Sequence, residues 1–201
     1  MMELYYWPTP NGRKITIFFE EANIPYKIIK IDIQNDEQYN KKFSKISPTN
    51  KIPVIYDSDT KKYIFESGTI LFYLAKKYNQ LLPKKYYWEI LSWLTFQTSQ
   101  VGPFLGQAHQ FLYYNSGKSS YAEKKYIDYG HRIYETLEKQ LNKKEYLVNQ
   151  YSIADIATWP WIARFERQRI NIEKFPNVLK WYKNIARRPA VIKGFNPDNE
   201  N

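Results

Sequence analysis

Cysteine is absent from all 201 residues. That removes disulfides, thiolate metal sites and any cysteine nucleophile. Thiol chemistry here would need a thiol carried in by a ligand. Histidine occurs only twice, at His109 and His131, and neither stands in a convincing metal-ligating spacing. No metal is expected; His131 is expected on a helix surface. No apolar run approaches the roughly 18–20 residues that cross a bilayer. Met1–Trp7 lacks the basic start and apolar core of a secretory leader. The expectation is a soluble cytoplasmic protein without a membrane partner. Acidic residues are outnumbered, 20 against 30 basic, for a net charge of +10. The lysines are scattered in pairs, from Lys41–Lys42 to Lys143–Lys144, rather than gathered on one stripe. Specific nucleic-acid binding is therefore not expected.

What is present is organised around Asn50–Ser67, which reads NKIPVIYDSDTKKYIFES. Ile52–Tyr56 is an apolar run entered through Pro53, a residue that cannot sit in mid-sheet. The sequence leaves the isomer of the Ile52–Pro53 bond open. The cis form would turn the chain sharply and leave the backbone N–H and C=O of Ile52 pointing into open space. Tyr63–Phe65 is strand-like and stops at Ser67. A helical pattern follows at once through Ile70, Leu71, Leu74, Ala75 and Tyr78. Ser67 is read as its N-cap. Helix N-termini hold carboxylates well. A free backbone edge at Ile52, a helix N-terminus at Ser67 and an acid at Glu66 together suit a small peptide with its own carboxylates and amine.

In chain order, Glu3–Tyr6 predicts a strand and Trp7–Gly12 a turn-rich loop. Ile15, Phe18, Phe19 and Ala22 predict a helix that ends before Pro25. Tyr26–Ile33 reads as a second strand and Asn35–Ile46 as a short irregular helix. Val54–Tyr56 and Tyr63–Phe65 form a strand pair, and Ser67–Tyr78 a helix. Residues 1–82 therefore read as a small α/β unit with a mixed sheet. Residues 86–201 carry no convincing strand. Tyr86–Tyr114 is a long helical pattern broken at Gly102–Pro103. Tyr121–Leu141 is a helix with Tyr126, Gly130, Ile133 and Leu137 along one face. Ser152 and Asp155 resemble a capping box, opening a helix expected to run through Pro160 to about Arg169. Pro176–Arg188 is a further helix. Trp88, Trp93, Phe96, Phe104, Trp159 and Trp161 fall at core-like helical positions.

Several motifs now carry a resemblance. NKIPV at Asn50–Val54, FESG at Phe65–Gly68, YSIAD at Tyr151–Asp155 and RRP at Arg187–Pro189 resemble the glutathione transferases over nearly the whole chain. PTPNG at Pro8–Gly12, GPFLGQ at Gly102–Gln107, WPW at Trp159–Trp161 and RQRI at Arg167–Ile170 are more narrowly similar to the bacterial Nu-class members, glutathione-dependent disulfide-bond oxidoreductases. The resemblance implies a thioredoxin-like N-terminal domain with a four-stranded mixed sheet, an all-α C-terminal domain and a homodimer. It implies glutathione as cosubstrate and a small disulfide as substrate. Ile52 would pair its backbone with the cysteinyl part of glutathione, and Glu66 and Ser67 would hold the γ-glutamyl end. Gln38 would reach the tripeptide, and Thr9 and Asn11 would sit at the sulfur. Where the class often has arginine before a tyrosine of the second long helix, Lys125 precedes Tyr126. Lysine keeps the charge and loses the bidentate fork.

In that reading hydroxyl and amide donors from Thr9 and Asn11, with the first helix dipole, stabilise a thiolate that attacks a disulfide sulfur. Two alternatives share the fold: a transferase that conjugates glutathione to electrophiles, and a non-catalytic scaffold.

Overall fold

The computed structural model describes residues 1–197. Contacts divide the chain into two compact units, Met1–Gln80 with the segment from Arg188 onward, and Leu81–Arg187.

The first unit is built on a four-stranded mixed sheet in the order β2-β1-β3-β4. Its strands are β1 (Met2–Tyr6), β2 (Tyr26–Lys30), β3 (Val54–Asp57) and β4 (Lys62–Phe65). β1 runs parallel to β2 and antiparallel to β3, and β3 is antiparallel to β4. Leu4, Val54 and Ile55 are fully buried on these strands. Between β1 and β2 lies α1 (Pro10–Glu21), whose Ile15, Phe18 and Phe19 are buried as the periodicity predicts. The segment before β3 folds into a 3-10 turn at Glu37–Tyr39 and the single-turn helix α2 (Lys41–Ser44). The second strand ends at Lys30, three residues short of the expected Ile33. Beyond it Ile31 N–H bonds to Tyr6 C=O, and Asp32 turns the chain by accepting from Gln34 and Asn35 N–H. α3 (Ser67–Tyr78) has the predicted bounds.

The last helix, α9 (Pro189–Phe195), lies in sequence within the span 86–201 expected to be the helical domain, yet it packs on α1. Arg188 forks onto Glu21 at 2.6 and 2.8 Å, Thr16 Oγ1 donates to Gly194 C=O, and the Arg13 guanidinium stacks 3.8 Å from the Phe195 ring centroid. A Cβ on Gly194 would stand 2.6 Å from Ile17 Cα. Backbone meets backbone there, with no flexible side chain to yield. Gly194→Ala should therefore push α9 off α1 and destabilise the unit by about 1–3 kcal/mol, read as a lower denaturant midpoint with unchanged m.

The second unit is helical: α4 (Tyr87–Phe96), α5 (Gly102–His109), α6 (Ser120–Gln140), α7 (Ile153–Ile162) and α8 (Pro176–Ala186). The break expected at Gly102–Pro103 is a π-helical turn, Gln97–Val101, that joins α4 to α5 without ending the helical path. The wider turn accommodates the proline, which has no N–H to give. Of the aromatics expected in the core, Trp159 and Trp161 are buried, while Trp88 is 75% exposed. Trp88 is the second residue of α4, where the first turn is not yet covered. The helix from Ser152 ends at Ile162 rather than near Arg169. Gln168 folds back to donate to Trp161 C=O at 2.8 Å, and a 3-10 turn, Phe165–Gln168, replaces the last α turns. Among the described residues no helix is long and apolar enough to cross a membrane.

Candidate functional site

The sheet register brings four loops to one end of the first unit. Tyr5 pairs with Val54, and Val54 with Phe65, so β1 ends, β3 begins and β4 ends side by side. β2 runs parallel to β1 and ends there too, with Tyr6 opposite Lys30. The residues singled out in the first unit all lie on the chain leaving or entering at that end: Thr9 and Asn11 after β1, Gln38 after β2, Ile52 before β3, Glu66 and Ser67 after β4. Ligands of sheets with helical connections bind outside strand ends of this kind.

Each loop is held by its own chemistry. Thr9 is the N-cap of α1, its Oγ1 accepting from Gly12 N–H at 3.2 Å, with Pro10 in the first turn. That leaves the Thr9 hydroxyl hydrogen to be directed elsewhere. The cap is Thr9, so Asn11 is an ordinary first-turn residue. Gly12 is required by close approach: a Cβ there would lie 2.5 Å from Trp7 C=O. Asn50 has a φ of 52°, and Ser47 Oγ clamps Lys51 by donating to its C=O and accepting from its N–H. The Ile52–Pro53 bond is cis. The Ile52 side chain packs against the cluster of Ile31, Phe43 and Val54, whereas its backbone stands outside the strand pairing, which begins at Val54.

At the start of α3 the expectation needs correction. Ser67 is the first helical residue, and the cap position belongs to Glu66, with φ 66° and ψ 116° and no side-chain capping bond. A non-glycine residue held there costs on the order of 1–3 kcal/mol. Its carboxylate remains exposed rather than folded back on the helix. Ser67 is buried, and its Oγ accepts from Lys14 Nζ at 3.1 Å. Neither α1 nor α3 has an acidic residue in its first turn, so the partial positive charge of both N-termini is kept. Gln38 Oε1 is buried and accepts no hydrogen bond among the described residues, and the same holds for Asn50 Oδ1. Orphaned buried acceptors of this kind fit a ligand that donates.

Lys14 is the residue sequence reasoning missed. It is 1% exposed, and burial lowers its ammonium to about 7, against the opposing pull of Glu66. Its signal was present: Lys14 stands four residues before Phe18, on the buried side of α1.

Lys125 is not among the residues the first unit brings together. It stands exposed on α6 of the second unit, its Nζ 5.6 Å from the Tyr121 ring centroid. His109 is buried in that unit, stacked on Trp161 with ring centroids 5.7 Å apart, and burial lowers its imidazolium to about 4. His131 is part-exposed on α6. Among the described residues no cluster of His, Cys, Asp or Glu fits a metal ion.

Known proteins resemble this chain along its length. The glutathione S-transferase N-terminal domain model matches residues 1–76, and the C-terminal domain model residues 103–189. The chain is 41% identical to the disulfide-bond oxidoreductase YfcG of Escherichia coli, over 95% of this chain and 93% of that protein. A glutathione transferase from Pseudomonas putida, solved with one glutathione disulfide bound per subunit, superposes with a TM-score of 0.93 at 33% identity, over 98% of this chain and 92% of that one. A homologue from Lodderomyces elongisporus, solved with two glutathiones per subunit, gives 0.92 at 34% identity, over 98% of each chain. With both domain models matched in order and a relative of that identity along its length, the chain belongs to the glutathione S-transferase family.

Proposed function

We propose that the chain binds glutathione at this end of the sheet and uses it to reduce small disulfides. The observation that carries the reading is the pairing of hydroxyl and amide side chains, Thr9 and Asn11, at the start of α1 with a protein that has no cysteine. Glutathione supplies the sulfur. Two glutathione thiols become one disulfide, and the substrate disulfide takes up the two electrons and two protons as two thiols.

The chain's own residues bind and orient. The Ile52 backbone, outside the sheet pairing, is free to pair with the cysteinyl segment as an added strand would. Glu66 offers a carboxylate to the γ-glutamyl amine, and the α3 N-terminus with Ser67 takes the γ-glutamyl carboxylate. Gln38 Oε1 accepts from the peptide. Thr9 and Asn11 donate to the sulfur and favour thiolate over thiol, whose ordinary titration lies near ~8.5. The named activities and bound ligands of the relatives support the same reading.

The purified protein should turn over a small disulfide only when glutathione is supplied; turnover without it would exclude the reading. Faster turnover on an aromatic halide than on any disulfide would favour conjugation instead. Asn11→Ala should raise the bound thiol's pKa and slow exchange near neutral pH. One charge-assisted hydrogen bond is worth about 1.5–3 kcal/mol, or roughly one to two powers of ten in rate. Affinity should fall only modestly, because Glu66, Ser67, Gln38 and Ile52 remain. Since Thr9 is the cap, Asn11→Ala should leave the cap of α1 in place. A wild-type rate with an unshifted pH profile at saturating glutathione would remove Asn11 from the mechanism.

A further inference from the structure

A buried lysine needs a reason, because an ammonium out of water is expensive unless its charge is used. Lys14 is in the middle of α1 and points at the beginning of another helix. Its Nζ donates to Ser67 Oγ at 3.1 Å, at the N-terminus of α3, and it feels the negative charge of Glu66. We propose that Lys14 is a positioning residue that acts through Ser67 to select the γ-glutamyl α-carboxylate. The inference rests on the glutathione reading above and adds a residue and a specificity to it.

The argument is one of hydroxyl geometry. A serine oxygen has two lone pairs and one hydrogen. With Nζ donating to one lone pair, the Ser67 hydrogen is turned away from the ammonium and toward an incoming acceptor. The donation also polarises the hydroxyl and strengthens the bond it gives. Behind that hydroxyl stands the positive charge of the protonated lysine, added to the partial charge of a helix end with no acid in its first turn. Glu66 carries the opposite sign one residue earlier, and its backbone is held at φ 66°. Glu66 thus offers an anion beside a Ser67 hydroxyl backed by Lys14, an order that suits the adjacent amine and carboxylate of an α-amino acid terminus. A neutral residue in place of Lys14 would keep the helix end and the hydroxyl but lose the orientation and the charge behind them.

Affinity for glutathione and for 4-aminobutyryl-cysteinyl-glycine, which keeps the amine and lacks only the α-carboxylate, would be measured by calorimetry on wild type and Lys14→Met. Wild type should prefer glutathione. Lys14→Met should lose about tenfold in glutathione affinity, the scale of one charged hydrogen bond, and little for the analogue. In turnover the loss should fall on KM more than on kcat. If Lys14 only fills the core, Met should bind both peptides as wild type does, which would overturn the inference, as would an equal loss for both. If Lys14→Met does not fold, the lysine-labelled wild-type protein serves. The Lys14 Nζ nitrogen resonance should move on adding glutathione and stay still with the analogue; no movement with glutathione overturns the proposal. Failure of the wild-type protein to bind glutathione at all overturns the parent reading, and this one with it.

Discussion

Asp155→Ala should lower stability by about 3–5 kcal/mol, a large share of the 5–15 kcal/mol that holds a typical domain together. Asp155 is fully buried near the start of α7 and gathers four donors. Its Oδ1 accepts from Leu147 N–H and Trp181 Nε1, both at 2.9 Å, and its Oδ2 from Ser152 N–H at 3.1 Å and Ser152 Oγ at 3.3 Å. One carboxylate therefore ties the loop before α7, the cap of α7 and the indole of α8 together. Leu147, Ser152 and Trp181 are themselves almost fully buried, so water cannot take over. Truncation strands three or more donors at about 1–3 kcal/mol each, reduced by whatever relaxation the cavity allows. Asp155→Asn keeps an acceptor for two of them and should cost less than half as much. Denaturant unfolding followed by tryptophan fluorescence reads both. A loss under 1 kcal/mol for the alanine variant would mean that the donors find other partners.

Acid should weaken the fold through His109, by about 3 kcal/mol. Burial, helped by the nearby Arg164 and Arg167 cations, lowers this imidazolium from 6.5 to about 4. At about 1.36 kcal/mol per unit the difference gives that figure. The unfolded chain binds the proton first, so the contribution of His109 is whole above pH 6.5 and is lost as pH falls toward 4. Asp155 works in the opposite sense over much the same range. Burial raises its carboxyl to about 6 despite the four donors, so its contribution is whole below about 4 and declines as pH rises through 6. Wild-type stability alone would blur the two. His109→Phe keeps a ring to stack on Trp161; it removes the 3.3 Å contact between His109 Nε2 and Gln168 Nε2 at every pH but leaves Gln168 its bond to Trp161 C=O. The stability difference between wild type and His109→Phe should therefore shrink by about 3 kcal/mol from pH 7.5 to 3.5. A constant difference would show that His109 titrates normally in the folded protein.

The sequence made α3 and the β3–β4 pair legible because their signals are local. A period of two gives way at Ser67 to a period of 3.6, and the helix bounds came out as read. Ser152 and Asp155 were legible for the same reason: a capping box spans three residues. What could not be read is set by long-range packing. Glu66 rather than Ser67 occupies the cap position, and Ser67 is instead engaged by Lys14, 53 residues away. The place of α9 depends on a glycine meeting Ile17, which no periodicity records. Trp88 has a core-like position in its helix, yet nothing in sequence says that the first turn of α4 is uncovered. The candidate site residues of the first unit were named from motifs. That they share one end of the sheet follows from strand register, a property of pairing rather than of any one segment.

The return of α9 to α1 has a consequence for how the protein is made. Residues 188–195 come after the whole of Leu81–Arg187 in the chain. A ribosome must therefore complete the helical unit before α9 can cover Thr16 and Ile17. At about 5–20 residues per second that interval is roughly 5–20 s. Throughout it the nascent first unit has its sheet and its candidate-site loops, but the flank of α1 that α9 will cover stands open.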